Sequence, residues 1–472
     1  MTQQLTTDLA VLGGGPGGYT AAFRAADLGL SVCLIEEGPQ LGGVCLNVGC
    51  IPSKTLLHAA EVIEEAQAAA TFGVRFAPPQ LDLAALRDHA GRVIGQLRTG
   101  LDTLCRARKV TRLTGRGVFT GPHSLEVRGT DGITRVIFSD AVLATGSSPV
   151  RLPGCPDDPR IWDSTTALAL PSVPARLLVI GGGVIGLEMA QVYGALGSAV
   201  TVVEMQDQLI PGADRDLVQP LQLVLKKKYR ICTSTRVEGI TATADGMEVR
   251  LSGATETCEL FDAVLVAIGR RPNSRGLGLE SIGLVPDAQG FLRVNERQQT
   301  AMAHLYAVGD LVGEPMLAHK ASHQGRVAAE VIAGLASAFT PQGIPAVAYT
   351  RPEVAWVGLT EREAAARGLR VDRGKFPWGA NGRALAGGAA GVTKALFDPE
   401  SGRLVGAGIC GAQAGELIHE ALIALEMGAN AEDIGRSVHA HPTLAETFAC
   451  AAETVTGTIT DALPPRKRST KP

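Results

Sequence analysis

The sequence predicts an α/β protein: two doubly wound units, each a parallel sheet covered by helices, followed by an α+β unit at the C-terminal end. Three observations predict it. An apolar strand that runs into a glycine turn and then a helix occurs twice, near residues 8–28 and again near 176–196. Each copy continues into a second apolar strand ending in a glutamate, the order of a β-α-β unit. From about residue 346 the pattern changes to short strands followed by helices, which suits an antiparallel sheet with helices packed on it.

In the first copy, Asp8-Leu-Ala-Val-Leu leads into Gly13-Gly-Gly15-Pro-Gly-Gly18. Gly13, Gly15 and Gly18 fit the G-x-G-x-x-G pattern of a dinucleotide site. Their roles are the tight turn, close approach of the backbone to a pyrophosphate, and close packing of helix on strand. Phosphates rest on the unpaired N–H groups at the helix start. A helix is expected from about Tyr19 to Leu28, then a strand from Ser31 to Ile35. Glu36 follows, about 20 residues on from the glycines, where a carboxylate can hold a ribose hydroxyl pair.

The second copy runs from Arg176-Leu-Leu-Val-Ile180 through Gly181, Gly183 and Gly186 into a helix ending near Leu196. The strand Ala199–Val203 then ends in Glu204. One such glycine pattern is weak, because glycine-rich turns open many helices; two copies, each complete from strand to acid, are strong. Glu204 selects NAD, since a carboxylate accepts from a free ribose diol and repels a 2′-phosphate, and no arginine lies between Glu204 and Gly212. A third element, His304-Leu-Tyr-Ala-Val-Gly309-Asp310, reads as a strand ending in Gly-Asp, with a helix beginning near His319. It stands after the second copy, where a discontinuous flavin unit would resume.

Cys45 and Cys50 lie in Gly42-Gly-Val-Cys45-Leu-Asn-Val-Gly-Cys50-Ile-Pro-Ser-Lys54. In a regular helix, residues five apart have Cα atoms roughly 8–9 Å apart, whereas a disulfide needs less than ~7 Å. The pair can bridge only where the backbone is irregular, as at a helix start, which Gly49 and Pro52 permit. Helix-terminal N–H groups there would favour a thiolate. The bland alternative is two unrelated buried thiols.

This stretch resembles the redox-active signature of the pyridine nucleotide–disulfide oxidoreductases, a family of flavoproteins. The resemblance continues through Gly117, Ala144-Thr145-Gly146, Ala267-Ile-Gly269-Arg270-Arg-Pro272 and Met316-Leu-Ala-His319-Lys320. It implies an FAD-binding domain at 1–150, an NAD-binding domain at 151–275, a segment completing the FAD site at 276–345 and a dimer-interface domain at 346–472. It implies that Lys54 and Glu188 pair beside the isoalloxazine, that Asp310 faces the ribityl chain, and that Ala318 meets the flavin through its backbone. Gly117, Thr145 and Gly146 are likewise assigned to the FAD site, and Val237 and Gly269 to the NAD site.

Near the other end, His439-Ala-His441-Pro442-Thr443-Leu-Ala-Glu446 places an imidazole just before a helix expected to start at Pro442. Glu446 can reach back to orient His441 and support its imidazolium, a base with its orienting acid. His439, His419 and His323 are read as structural. In the resembling family the His-Pro-Thr motif with this glutamate supplies the catalytic acid–base across the interface of an obligate homodimer.

Within the family, Glu204 and the Leu46 form of the cysteine motif point to the dihydrolipoamide-oxidising branch, with a glutathione reductase-like enzyme as the alternative. The extra cysteine pair of mercuric reductases and the larger thioredoxin reductases is missing, only Cys450 standing in the last helical stretch. The implied partners are lipoyl domains of 2-oxo acid dehydrogenase acyltransferase components, met in trans. A catalytically idle flavoprotein is disfavoured by the presence of Cys45, Cys50, His441 and Glu446 together.

Composition agrees. Hydrophobic residues make up 45% and charged residues 19% of the 472, enough for several cores without a membrane. The 57 glycines exceed the usual share of about 7%, which fits many tight turns and close backbone approaches. A net charge of −3 argues against nucleic acid as a partner. Apolar runs break well before ~18–20 residues, so no membrane span is expected. Nine scattered cysteines and a short polar start at Met1–Thr7 favour reduced thiols and a cytoplasmic location. No metal site is expected. Arg466-Lys467-Arg468 reads as a solvated, frayed tail.

Overall fold

The computed structural model describes residues 3–130 and 132–463. The basic cluster at 466–468 lies outside the described residues. No helix among those described is long and apolar enough to cross a membrane.

The first sheet is built on Gln3–Leu12, parallel to Val32–Glu36 on one side and to the long strand Gly132–Leu143 on the other. Thr111–Thr114 extends it in parallel beyond Val32–Glu36. Side chains alternate across Gln3–Leu12, so Leu9 and Val11 feed one core and Ala10 and Leu12 another. The helices Pro16–Asp27 and Ala318–Ile332 cover the first face so closely that a Cβ on Gly325 would lie 2.3 Å from the Gly17 oxygen. Leu277–Leu292 covers the second.

This sheet departs from the expected all-parallel form. The 12-residue strand Gly132–Leu143 takes two neighbours on one edge. Its end pairs in parallel with Leu305–Ala307. Its beginning pairs antiparallel with Ser124–Gly129, which continues antiparallel to Arg116–Gly121. Antiparallel neighbours need only short turns, as between Gly121 and Ser124, whereas parallel ones need a crossover.

The second sheet is fully parallel, in the order Arg230–Cys232, Ala199–Val203, Arg176–Ile180, Ala263–Val266, Ile161–Trp162. The expected all-parallel unit also gains a separate antiparallel piece, Arg236–Thr243, Gly246–Ser252 and Glu256–Phe261, packed on one face of that sheet. The helix Val184–Ala195 lies on the other face and is buried along Gly186–Tyr193, because the helix Cys50–Ala68 and the strand Ala346–Ala348 also close on it.

The third sheet is antiparallel throughout: Ala346–Ala348, Glu353–Gly358, Leu404–Gly411, Val392–Phe397, Asp372–Pro377. The helices Ala414–Glu426 and Glu446–Thr456 cover it, with Phe376, Trp378, Phe397, Ile409, Ile418 and Phe448 in the shared core. The short strands followed by helices expected from about residue 346 are present. Asp372–Pro377 has a polar, proline-ended sequence, which suits its place at the sheet edge.

Candidate active site

Both glycine turns form as expected, and the three glycines of each do different work. Gly13 and Gly181 have φ of +102° and +110°, in the region L side chains avoid, and a Cβ on either would lie 2.3 Å from a backbone oxygen of the neighbouring strand end. A Cβ on Gly18 would fall 1.7 Å from the Gly13 oxygen, and one on Gly186 2.0 Å from the Gly181 oxygen. These four are required by the chain's own packing. The middle glycines are not: a Cβ on Gly15 would meet only the Gly43 Cα at 3.7 Å, and one on Gly183 nothing within 4 Å. The space in front of the two helix starts is therefore left for a ligand, as a pyrophosphate requires.

The acids sit in matching places. Glu36 accepts from the Gly14 N–H at 2.6 Å and the Gly38 N–H at 3.0 Å. Glu204 accepts from the Gly182 and Gln206 N–H groups, both at 2.7 Å. Each carboxylate is aimed by its own glycine turn, and its remaining lone pairs suit a ribose diol. The helix Pro16–Asp27 starts earlier than expected because Pro16, with its fixed φ, occupies the first turn.

The chain crosses between the first two sheets at 147–149 and 270–272, which pair antiparallel. Asp310 accepts from the Ser147 hydroxyl at 2.5 Å, and Arg270 donates to that same hydroxyl at 2.7 Å, so a half-buried acid is tied to both crossings. Thr145 donates to the Asn273 carbonyl at 2.8 Å, next to Gly146 at φ +68°. Ala318 opens its helix, where N–H groups lack intrahelical partners. Gly117 lies on a strand over Leu12 and Ile35, Gly269 faces open space, and Val237 lies at an irregularity of the separate antiparallel piece rather than on the glycine turn.

The cysteines flank a break in the backbone. Cys45 lies in the short helix Gly43–Val48, Cys50 opens the helix Cys50–Ala68, and Gly49 between them adopts φ −142°, ψ −110°. A Cβ on Gly49 would press to 2.8 Å on the Val44 oxygen, so glycine is required at the break. The irregular helix start expected from the spacing is present, and both residues are free cysteines, each of which shifts the other's titration. The Cys45 donor lowers the Cys50 thiol to about 7, against burial, with help from the Lys54 charge. Cys45 is pushed up, by that same bond first and by burial second. Of the two, Cys50 is shifted toward the thiolate and Cys45 toward the thiol.

Lys54, one turn beyond Cys50, reaches both Glu188 oxygens at 3.0 Å. Glu188 is 3% exposed, so without that ammonium it would be a buried unpaired carboxylate. Two further residues brace the loop and carried no signal in the sequence. Asn47 donates to the Leu41 and Gly43 carbonyls and accepts from Arg98 at 2.6 Å, across 51 positions of chain.

His441 Nδ1 lies 2.9 Å from Glu446 Oε1. Glu446 Oε2 accepts from the Thr443 N–H at 2.6 Å. Burial opposes it, but that N–H and the imidazole hold Glu446 below the usual glutamate range. The helix begins at Glu446 and not at Pro442, since the Thr443 N–H and hydroxyl turn to Glu446 and the Ala440 carbonyl. Among the described residues His441 Nε2 has no hydrogen-bond partner, and the ring is exposed within one chain. No hydrogen bond or ion pair among the described residues links it to the cysteines of its own chain. His439 is bonded at both nitrogens, to Ser437 and Glu420, as its structural assignment expects.

The described geometry has close counterparts. The family model of the pyridine nucleotide-disulphide oxidoreductases matches residues 7–325, and that family's dimerisation-domain model matches residues 344–452. The chain is 51% identical to a dihydrolipoyl dehydrogenase of Vibrio cholerae, with the whole of both chains covered. It is 46% identical to one of Thermus scotoductus, covering 95% of this chain and 97% of the relative. Among solved structures, LpdA from Mycobacterium tuberculosis superposes with a TM-score of 0.87 at 27% identity, covering 96% of this chain and 99% of the other. The flavoprotein disulfide reductase RclA from Escherichia coli gives 0.84 at 25%, covering 97% and 100%. Two glycine cradles, a close cysteine pair at a helix start and whole-length matches of this kind lead to one assignment: the chain belongs to the pyridine nucleotide-disulphide oxidoreductase family.

Proposed function

We propose that the chain is an NAD-dependent oxidoreductase that converts protein-bound dihydrolipoyl groups to the lipoyl disulfide, using FAD and a Cys45–Cys50 disulfide. The observation that carries this reading is the 51% identity, along both whole chains, to a dihydrolipoyl dehydrogenase. The Glu204 carboxylate, held toward the second cradle and followed by no arginine up to Gly212 in the sequence, supports NAD over NADP.

In the oxidised enzyme, Nε2 of His441 takes the proton of one dihydrolipoyl thiol, while Glu446 on Nδ1 supports the imidazolium. The substrate thiolate attacks Cys45 Sγ, and the S–S bond breaks with its electron pair on Cys50. The second substrate thiol loses its proton and displaces Cys45, closing the dithiolane. Cys45 recovers a proton from His441, so the site ends as thiol and thiolate, with one proton released. That is the charge state the two cysteines favour, Cys50 low and Cys45 high. FAD, which the Gly13–Gly18 turn and Glu36 would hold, would supply two-electron chemistry between this dithiol, which returns to the disulfide, and NAD at the Gly181–Gly186 turn. Lys54 and Glu188 hold opposite charges beside the thiolate.

The exposed His441 ring and the dimerisation-domain match support a homodimer in which each chain's base serves the other's cysteines. Joint packing of 277–311 with the first sheet supports the division at 1–150, 151–275, 276–345 and 346–472. Lipoyl domains of 2-oxo acid dehydrogenase acyltransferase components are the partners, and the cytoplasm is the location, in keeping with nine cysteines read as thiols.

Steady-state assay decides between substrates. NADH formation from dihydrolipoamide and NAD, with none from NADP, is expected. NADPH-dependent reduction of glutathione disulfide without dihydrolipoamide oxidation would overturn both the substrate and the Glu204 assignment.

A further inference from the structure

The segment Tyr349–Arg351 leaves the third sheet and is read, backbone atom by backbone atom, by one face of the helix Val184–Ala195. Glu188 accepts from the Tyr349 N–H at 3.1 Å. One turn on, Gln191 accepts from the Arg351 N–H at 2.8 Å and donates to the Arg351 carbonyl at 3.0 Å. Gln191 is 3% exposed and both ends of its amide are used, so the register is fixed. The result is a set backbone at Tyr349, whose ring is 38% exposed and has its centroid 4.3 Å from Lys54 Nζ. Lys54 is thus held between a carboxylate and an aromatic face, although its side chain is 36% exposed and has solvent as an alternative.

We propose that Tyr349 is a positioning residue for the redox cysteines, its ring keeping the Lys54 ammonium turned toward Cys50. This rests on the reading of Cys50 as the thiol that carries charge. The charges facing Cys50 are Lys54 and Glu188, with Arg270, Tyr19 and Tyr349 in electrostatic reach. Lys54, on its long flexible stem, can turn to solvent, and the ring opposes that turn. The competing role is packing alone, since the ring also lies against Gly415.

The test uses FAD-loaded protein reduced with a phosphine, alkylated with iodoacetamide across pH, with the extent at Cys50 read by mass spectrometry. Tyr349→Phe keeps the ring and is expected to keep the midpoint near 7. Tyr349→Leu is expected to raise it by about half a pH unit, and to do nothing when Lys54→Met is already present. An unchanged midpoint in Tyr349→Leu, or the same rise with and without Lys54, overturns the proposal. If the Leu variant does not fold, Tyr349→Met is read by the same two criteria. Neither dihydrolipoamide nor NAD enters the measurement, so a wrong substrate assignment leaves its outcome intact.

Discussion

Removing the donor that Cys45 offers to Cys50 should move the negative charge away from the site. That bond is the largest influence lowering Cys50, ahead of the Lys54 charge. A hydrogen bond to a charged group contributes about 1.5–3 kcal/mol, and a thiol is a weak donor, which favours the lower end. At about 1.4 kcal/mol per pH unit, Cys45→Ala should raise the Cys50 midpoint from about 7 by roughly one pH unit. The sign follows from the state being stabilised: the bond favours the thiolate, so its loss favours the thiol. At pH 7 the thiolate fraction falls from about half to about a tenth. Cys45→Ser restores a hydroxyl donor and should return the midpoint most of the way. The assay is Cys50 alkylation across pH in the reduced protein. A Cys45→Ala midpoint still near 7 would refute the division of charge between the two cysteines.

Four further outcomes follow from the site. Glu446→Ala strips His441 Nδ1 and the Thr443 N–H of their acceptor, and should lower kcat with dihydrolipoamide about 10- to 100-fold, with Glu446→Gln between it and the parent. Gly183→Ala places a methyl in the open space of the second cradle; it should fold and keep FAD but weaken NAD binding at least about tenfold, read by titration calorimetry. Gly186→Ala, whose methyl would overlap the Gly181 oxygen, should instead lower the thermal midpoint of the whole protein. Glu204→Arg removes the acceptor of the Gly182 and Gln206 N–H groups and should cut kcat/KM for NAD by about tenfold or more, with part of the activity passing to NADP.

What could be read from the chain was what local chemistry dictates. The glycine turns, their acids and the cysteine break are short-range patterns, and each formed where the spacing placed it. Glu446 was read correctly as the partner of His441 because it lies five residues away, yet the helix start was misplaced: nothing local says that Thr443 would bond its neighbours' side chain and carbonyl rather than open a helix. The antiparallel neighbours of Gly132–Leu143 and the piece at 236–261 were missed, since parallel and antiparallel pairing share one apolar alternation. Arg98 on Asn47 and Tyr349 on Lys54 are contacts between distant segments, set by how the sheets dock, and no spacing announces them.

The central claim is that electrons pass from dihydrolipoyl thiols through the cysteines and FAD to NAD. Anaerobic stopped-flow absorbance of the yellow protein, mixed with dihydrolipoamide and then with NAD, tests it most directly. The account predicts a long-wavelength thiolate–flavin band in the first mix, absent in Cys50→Ser, and its bleaching as NADH appears in the second. No band with dihydrolipoamide, but one with NADPH followed by turnover of another disulfide, would contradict it.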